Sequence, residues 1–265
     1  MNLEFCFVKS EKERFLKAWA NLQSMKLLIK SLSIMVLCFL SLCMGQVAPS
    51  QLKGIDLEVG VTHIFEFYEN DTHIGYNQYT ITKKEAYNEK VAYFIESEVD
   101  LNSDSYSIHI EASYIVDTQG MCLHYEFECI VNGETQTMSA DFTETSVHIT
   151  ASVPGKTYDE VIELIQNTFS LDNNMICQWD IMVSAIVLER GEDFAVYAFA
   201  AQPMKRTSVT ASVSEGTVAV QAAGKTWECL KLEFSTPAGY TAYVTEDGQL
   251  VKMENESGLV IVLKE

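Results

Sequence analysis

Cys122 and His124 stand two residues apart, so in an extended strand their side chains share one face. A thiolate beside an imidazole is the arrangement of nucleophilic catalysis. Glu126 and Glu128 follow on the same face, and carboxylates raise a thiol pKa rather than lower it. The chain contains no GxSxG elbow, no HExxH pair and no Walker loop. We therefore expect a non-enzymatic protein with no catalytic residue. Glu69-Asn70-Asp71 and Asp172-Asn173-Asn174 carry oxygen ligands that suit calcium, but neither has the spacing of a calcium loop. They read as turns, and no metal or cofactor is expected. His63, in register with Phe65 and Phe67, reads as a core histidine with one nitrogen satisfied.

What remains is a set of aromatic and flexible apolar side chains. Phe65, Phe67, Tyr125, Phe127, Trp179, Met182 and Ile186 are the residues that could line an apolar ligand pocket between a sheet and a helix. The competing reading is that they fill a solid core.

The elements that must position them are strands. From about residue 57 the hydrophobic period is 2, as in Tyr106, Ile108, Ile110, Ala112, Tyr114 and Val116, or in Met121, Leu123, Tyr125 and Phe127 opposite Cys122, His124, Glu126 and Glu128. The alternation continues through Val91, Tyr93 and Ile95, and through Leu230, Leu232 and Phe234. Turn chemistry separates these runs at Asn70-Asp71, Thr118-Gln119-Gly120, Asn132-Gly133, Glu215-Gly216, Asp247-Gly248 and Ser257-Gly258. The expectation is an antiparallel meander of roughly ten to twelve strands. Trp179, Met182, Val183 and Ile186 instead fall at helical spacing, which predicts a helix over 177–190 ended by Gly191. A second short helix is expected over Tyr158 to Gln166.

Met25 to Gly45 has the order of a secretory signal peptide. Lys26 and Lys30 precede the 14 uncharged residues Ser31 to Met44, too few for a spanning helix of about 20 residues. Cleavage is expected after Gly45, and residues 1–24 read as an upstream extension, with Met25 as the start. An uncleaved anchor and lipidation at Cys43 are the alternatives; Leu42, just before that cysteine, sits where a lipoprotein signal needs Gly, Ala or Ser. Residues 46–56 read as a flexible N-terminus and 57–265 as one domain. Secretion implies the periplasm or beyond, where Cys122, Cys129, Cys177 and Cys229 have three full disulfide pairings open to them; Cys229 is one partner for Cys122. The absence of CxxC disfavours a zinc or thioredoxin-type centre.

Across 265 residues, 18 Lys and Arg face 37 Asp and Glu, for a formal charge of -19. Loss of residues 1–45 leaves 12 basic and 34 acidic side chains and a charge of -22. Such a chain repels nucleic acid and anionic membrane surfaces. Its 48% hydrophobic content supports a real core and excludes wholesale disorder.

The order of motifs resembles secreted bacterial proteins of unknown function related to the half-barrel lipoprotein carriers of the LolA and LolB type. The likeness rests on FEFYENDTHIGYNQYTI with Gly75, SYIVDTQGMCLHYEFE, CQWDIMVSAIVLER, VAVQAAGKTWECLKLEFS and AYVTEDGQLVKMENESGLVIVL. Asp180, Ser184, Ala185 and Arg190 match that family's D-x-x-x-S-A pattern with a late Arg, and Gly224-Lys225-Thr226 matches its G-[KT]-T turn. The exit loop of the carriers proper has no counterpart in this chain. The resemblance implies a mainly β protein: one large curved antiparallel sheet, or half-barrel, with one or two helices on its concave side. It further implies that the concavity receives an acyl chain or another apolar ligand. The expected function is thus a secreted envelope protein that binds a lipid or lipid-linked component. The alternative is an envelope interaction module with a solid core and a protein partner at its acidic face or strand edge. An empty space of about 300 Å³ or more between helix and sheet would favour the first.

Overall fold

The computed structural model describes residues 50–172 and 174–264; the expected leader and upstream extension lie outside them. Fifteen strands form one sheet among the described residues. The first eight are β1 (Thr62–Glu69), β2 (Thr72–Tyr87), β3 (Lys90–Asn102), β4 (Ser107–Asp117), β5 (Cys122–Val131), β6 (Glu134–Phe142), β7 (Ser146–Val153) and β8 (Lys156–Glu163). A three-residue strand, β9 (Thr168–Ser170), precedes α1 (Ile176–Ala185), the one helix among the described residues. Then follow β10 (Asp193–Ala200), β11 (Lys205–Ala222), β12 (Lys225–Thr236), β13 (Ala238–Val244), β14 (Leu250–Asn255) and β15 (Leu259–Leu263).

The spatial order runs β8 back to β1, then β15 back to β9, with every pair antiparallel except β9 and β10. Its two edges, β8 and β9, are therefore consecutive in the chain. Laid flat, fifteen strands would span about 67 Å. The four residues 164–167 can bridge only about 17 Å. The sheet must roll until its edges approach, and rings from opposite ends do meet: Phe142 of β6 packs edge-on to Phe199 of β10, centroids 6.2 Å apart.

Alternation decides what points inward. Ile108, Ile110, Ala112 and Tyr114 of β4 are buried, as are Tyr125, Phe127 and Cys129 of β5 and Val147, Ile149 and Ala151 of β7. Hairpins use the expected positive backbone angles at Asn70-Asp71 and Asn132-Gly133, and also at Asn88-Glu89 and Ala223-Gly224. The expected turn at Glu215-Gly216 is instead an irregularity inside the long strand β11, where the register with β12 shifts between Val213 and Thr217. Near that shift Cys229 is fully buried, against its expected place on the polar face. Val91 turns outward, 53% exposed.

The helix stops earlier than its spacing predicts. After Ala185 the chain becomes extended at Ile186 (φ -101°, ψ 151°), because this β-branched stretch pairs with the N-terminal segment. Leu52 bridges Ile186, Val187 N donates to Gln51 O, and Lys53 N donates to Ala185 O. Residues 50–56, expected as a flexible lead-in, are thus a strap across the open barrel, also tied by Ile55 N to Thr118 O. The helix expected over 158–166 is β8 and its following loop, since the exposed pattern there has no apolar helical stripe to bury.

The helix lies inside the roll and is buried around most of its circumference; even Gln178 and Asp180 are 3% exposed. It has no side-chain cap of its own. The sheet supplies one: Asn77 Oδ1 of β2 accepts the Cys177 N–H at 3.3 Å, while its amide donates to Ser97 Oγ and Glu98 O. Gly75, two residues earlier, sits at φ +144°, and a Cβ there would lie 1.8 Å from Asp100 O. Gly75→Ala should therefore destabilise the fold by about 3 kcal/mol or more, read as a lowered midpoint in urea unfolding.

Candidate functional site

Of the seven residues expected to line an apolar pocket, six are buried in the core and Trp179 is half-buried. Phe65, Phe67, Tyr125, Met182 and Ile186 are 0–1% exposed and Phe127 is 5% exposed. They do not converge on one point. Tyr125 and Phe127 pack together on β5 at 5.6 Å, whereas the half-buried Trp179 ring meets Phe234 of β12 edge-on at 5.7 Å.

A space between helix and sheet does open at one end of the roll. A cavity of about 520 Å³ lies between α1 (Asp180, Ile181, Ser184), β1 and β2 (His63, Tyr79, Ile81), the strap and following loop (53–61) and the β13–β14 loop (Asp247, Gln249). Ile55, Leu57, Val61, Ile81 and Ile181 give it apolar walls, and polar groups stand among them: Lys53, His63 and Gln249, and the carboxylates of Asp56, Glu58 and Asp247.

The residues of the D-x-x-x-S-A pattern build this end. Asp180 is buried; its Oδ2 accepts the Tyr79 hydroxyl at 2.5 Å and its Oδ1 accepts Leu250 N–H at 2.8 Å. One turn on, Ser184 Oγ donates to Gly248 O at 2.9 Å, and Arg190 pairs with Glu246. Lys53 Nζ donates to Asp247 O at 3.0 Å. Apart from Tyr79 on β2, these contacts all fall on the loop between β13 and β14 or the first residue after it. Gly248 permits the approach: a Cβ there would stand 2.9 Å from Ser184 Cα. The pattern is therefore a clasp that holds the helix to one hairpin.

Burial controls the electrostatics of the clasp. It raises the Asp180 carboxyl above the usual range, against the lowering effect of Tyr79 and the Leu250 amide. The Tyr79 phenol is pushed well above its ordinary value, first by burial and then by Asp180. His63 stacks on Tyr79 with centroids 4.8 Å apart and planes 12° apart. Burial also lowers the Lys53 amine, with Asp247 opposing.

The expected Cys122 and His124 alignment does not occur. One extra residue, Leu123, resets the alternation, so Cys122 falls opposite buried Val116 while His124 falls opposite Ile115. The thiol is buried and its pKa is driven well up by desolvation; the imidazole bonds Asp141 at 2.7 Å instead. All four cysteines of the described residues are buried, and no disulfide joins them.

Asp172, read from sequence as part of a turn cluster, is 1% exposed. It ties three elements together: Gln178 Oε1 of the helix accepts its N–H at 2.6 Å, and its Oδ1 accepts Gln202 N–H at 3.0 Å at the β10–β11 turn. Burial lifts its pKa to about 7, opposed by the Gln202 amide and the Tyr125 hydroxyl. Nothing in its local sequence separates it from Asp71 or Asp247.

The folded protein keeps the Asp172 proton at pH values where the unfolded chain has released it. Stability from this group is thus complete below about pH 4 and declines as pH rises to about 7, by about 4 kcal/mol. Asp172→Asn should flatten that part of the stability curve, measured by urea unfolding from pH 4 to pH 8.

No protein-family model matches the chain, and no curated protein matches it significantly. Among solved structures it is similar to a β-barrel-like protein of domain of unknown function DUF1849 from Brucella abortus, at 10% identity and a TM-score of 0.43, over 77% of this chain and 94% of that one. It is also similar to a DUF1089 family protein from Pseudomonas aeruginosa, at 8% identity and a TM-score of 0.41, over 66% of this chain and 87% of that one.

Proposed function

We propose that this is a non-enzymatic envelope protein, exported by the leader Met25 to Gly45, whose half-barrel holds the apolar part of a lipid or lipid-linked component. Kinship with the lipoprotein carriers is part of this proposal. The observation that carries it is the cavity of about 520 Å³ between α1, β1, β2 and the strap. Its volume falls within the range of about 300–1,000 Å³ common to ligand pockets. Apolar walls suit an acyl or prenyl segment, and Lys53 and His63 suit a polar head left at the entrance. The residues expected from sequence to line the pocket would then support the site from behind.

Displacement of a fluorescent fatty acid from the purified protein tests the reading. Saturable binding is expected, weakened about fivefold or more by Val61→Trp, which fills the cavity from a partly exposed position and should leave the unfolding midpoint unchanged. Native mass spectrometry of protein from its own host should show a bound apolar species. Absence of saturable binding together with a ligand-free mass spectrum would end the proposal.

A further inference from the structure

The two edges of the sheet are treated very differently. β9 has three residues, two of them buried, and leads directly into the helix segment. Such an edge offers almost no backbone to a partner. β8 has eight residues, of which six are exposed, and pairs with β7 without a single irregularity. In an antiparallel edge strand every second residue turns its N–H and C=O away from its neighbour. Along β8 those groups meet no hydrogen-bonded strand, since it ends the sheet order.

Proteins normally protect a long edge with proline, a bulge, or several lysines. β8 has neither of the first two, and its one lysine, Lys156, lies over the Tyr158 ring at 3.9 Å. Val161 is instead 69% exposed, and Ile165 just beyond the strand is 47% exposed. Val161 is the most exposed large apolar side chain among the described residues.

Charge indicates what would pair there. Asp159, Glu160 and Glu163 lie on β8. The outer surface leading to it is acidic too. Glu98, Glu111 and Glu128 sit directly opposite one another on β3, β4 and β5, an arrangement that like charges disfavour. The same row continues through Thr137 and Ser152 to Thr157 on β8 itself. A groove of about 660 Å³ follows it, and no lysine or arginine lines that groove. Glu96, on its border, has its pKa raised by burial and then by Glu126.

We propose that β8 is a docking edge, on which an extended segment of another protein with alternating basic side chains adds as a further strand. Backbone hydrogen bonds supply the pairing, and lysines or arginines of the segment face the carboxylates of β8 and the groove. A second copy of this chain fits poorly. Pairing two β8 strands over their full length would set Asp159 against Glu160, between chains of formal charge -19.

The test is fluorescence anisotropy with a labelled peptide, Arg-Val-Arg-Thr-Arg-Val-Arg-Thr, against two versions N-methylated at alternate residues, one set for each edge. The unmodified peptide should bind saturably, and one methylated version should bind at least about tenfold more weakly while the other keeps its affinity. Asp159→Lys combined with Val161→Lys, both at exposed positions, should cause a similar loss with an unchanged unfolding midpoint. Equal binding of both methylated peptides would mean that charge alone attracts them and would overturn the docking edge. So would an absence of binding, or sedimentation of the protein as a dimer that Val161→Lys dissociates.

Discussion

The link of four residues between β8 and β9 constrains everything else in this protein. It joins the two ends of a fifteen-stranded sheet, so the sheet has no flat solution. A roll of that many strands encloses more space than inward side chains alone can fill; about eight strands is the limit for a core of side chains only. The helix and the strap are the filling, and their sequences fit that role. α1 is buried on most sides, a condition met otherwise by helices deep inside large domains.

A buried helix brings backbone and side-chain polar groups into a region without water, and each must be met from the sheet. Asn77 receives the first free N–H of α1, and Asp180 is shared between Tyr79 and the Leu250 amide. Ser184 closes the last turn onto Gly248. These contacts fix the helix at one depth in the roll. Beside Ile181 they leave the cavity, which the strap and the loop after it close over. Asp172 performs the same joining task at the seam. Burial raises its pKa to about 7, so its protonation couples this seam to pH.

The rolled sheet thus offers two separate kinds of surface. One is concave, mixed in polarity and bounded by helix and strap. The other is convex, acidic and ends in a bare strand edge. The acidity that keeps the chain away from nucleic acid is not evenly spread on this second surface: opposed glutamates gather on β3 to β5 and no basic residue lines the groove among them.

The amino-acid sequence by itself determined the class of the fold. Period-2 alternation and Asn-Gly or Asn-Asp turns are local properties, set by the pleat and by positive backbone angles, so an antiparallel meander with one central helix was legible from residues near one another, while the single curved sheet enclosing that helix came from the resemblance. Strand faces were less secure. One extra residue at Leu123 was enough to turn Cys122 inward and separate it from His124, and a bulge leaves no mark in composition. Val161 and its neighbours read as a helix because a short exposed strand has no period to show. The tertiary structure alone decided the sites. Tyr79 meets Asp180 across 101 positions, and Asn77 meets Cys177 across 100, distances over which no local pattern carries information. It also buried six of the seven aromatic and apolar residues, because whether a side chain lines a void or fills one depends on what the opposite wall supplies.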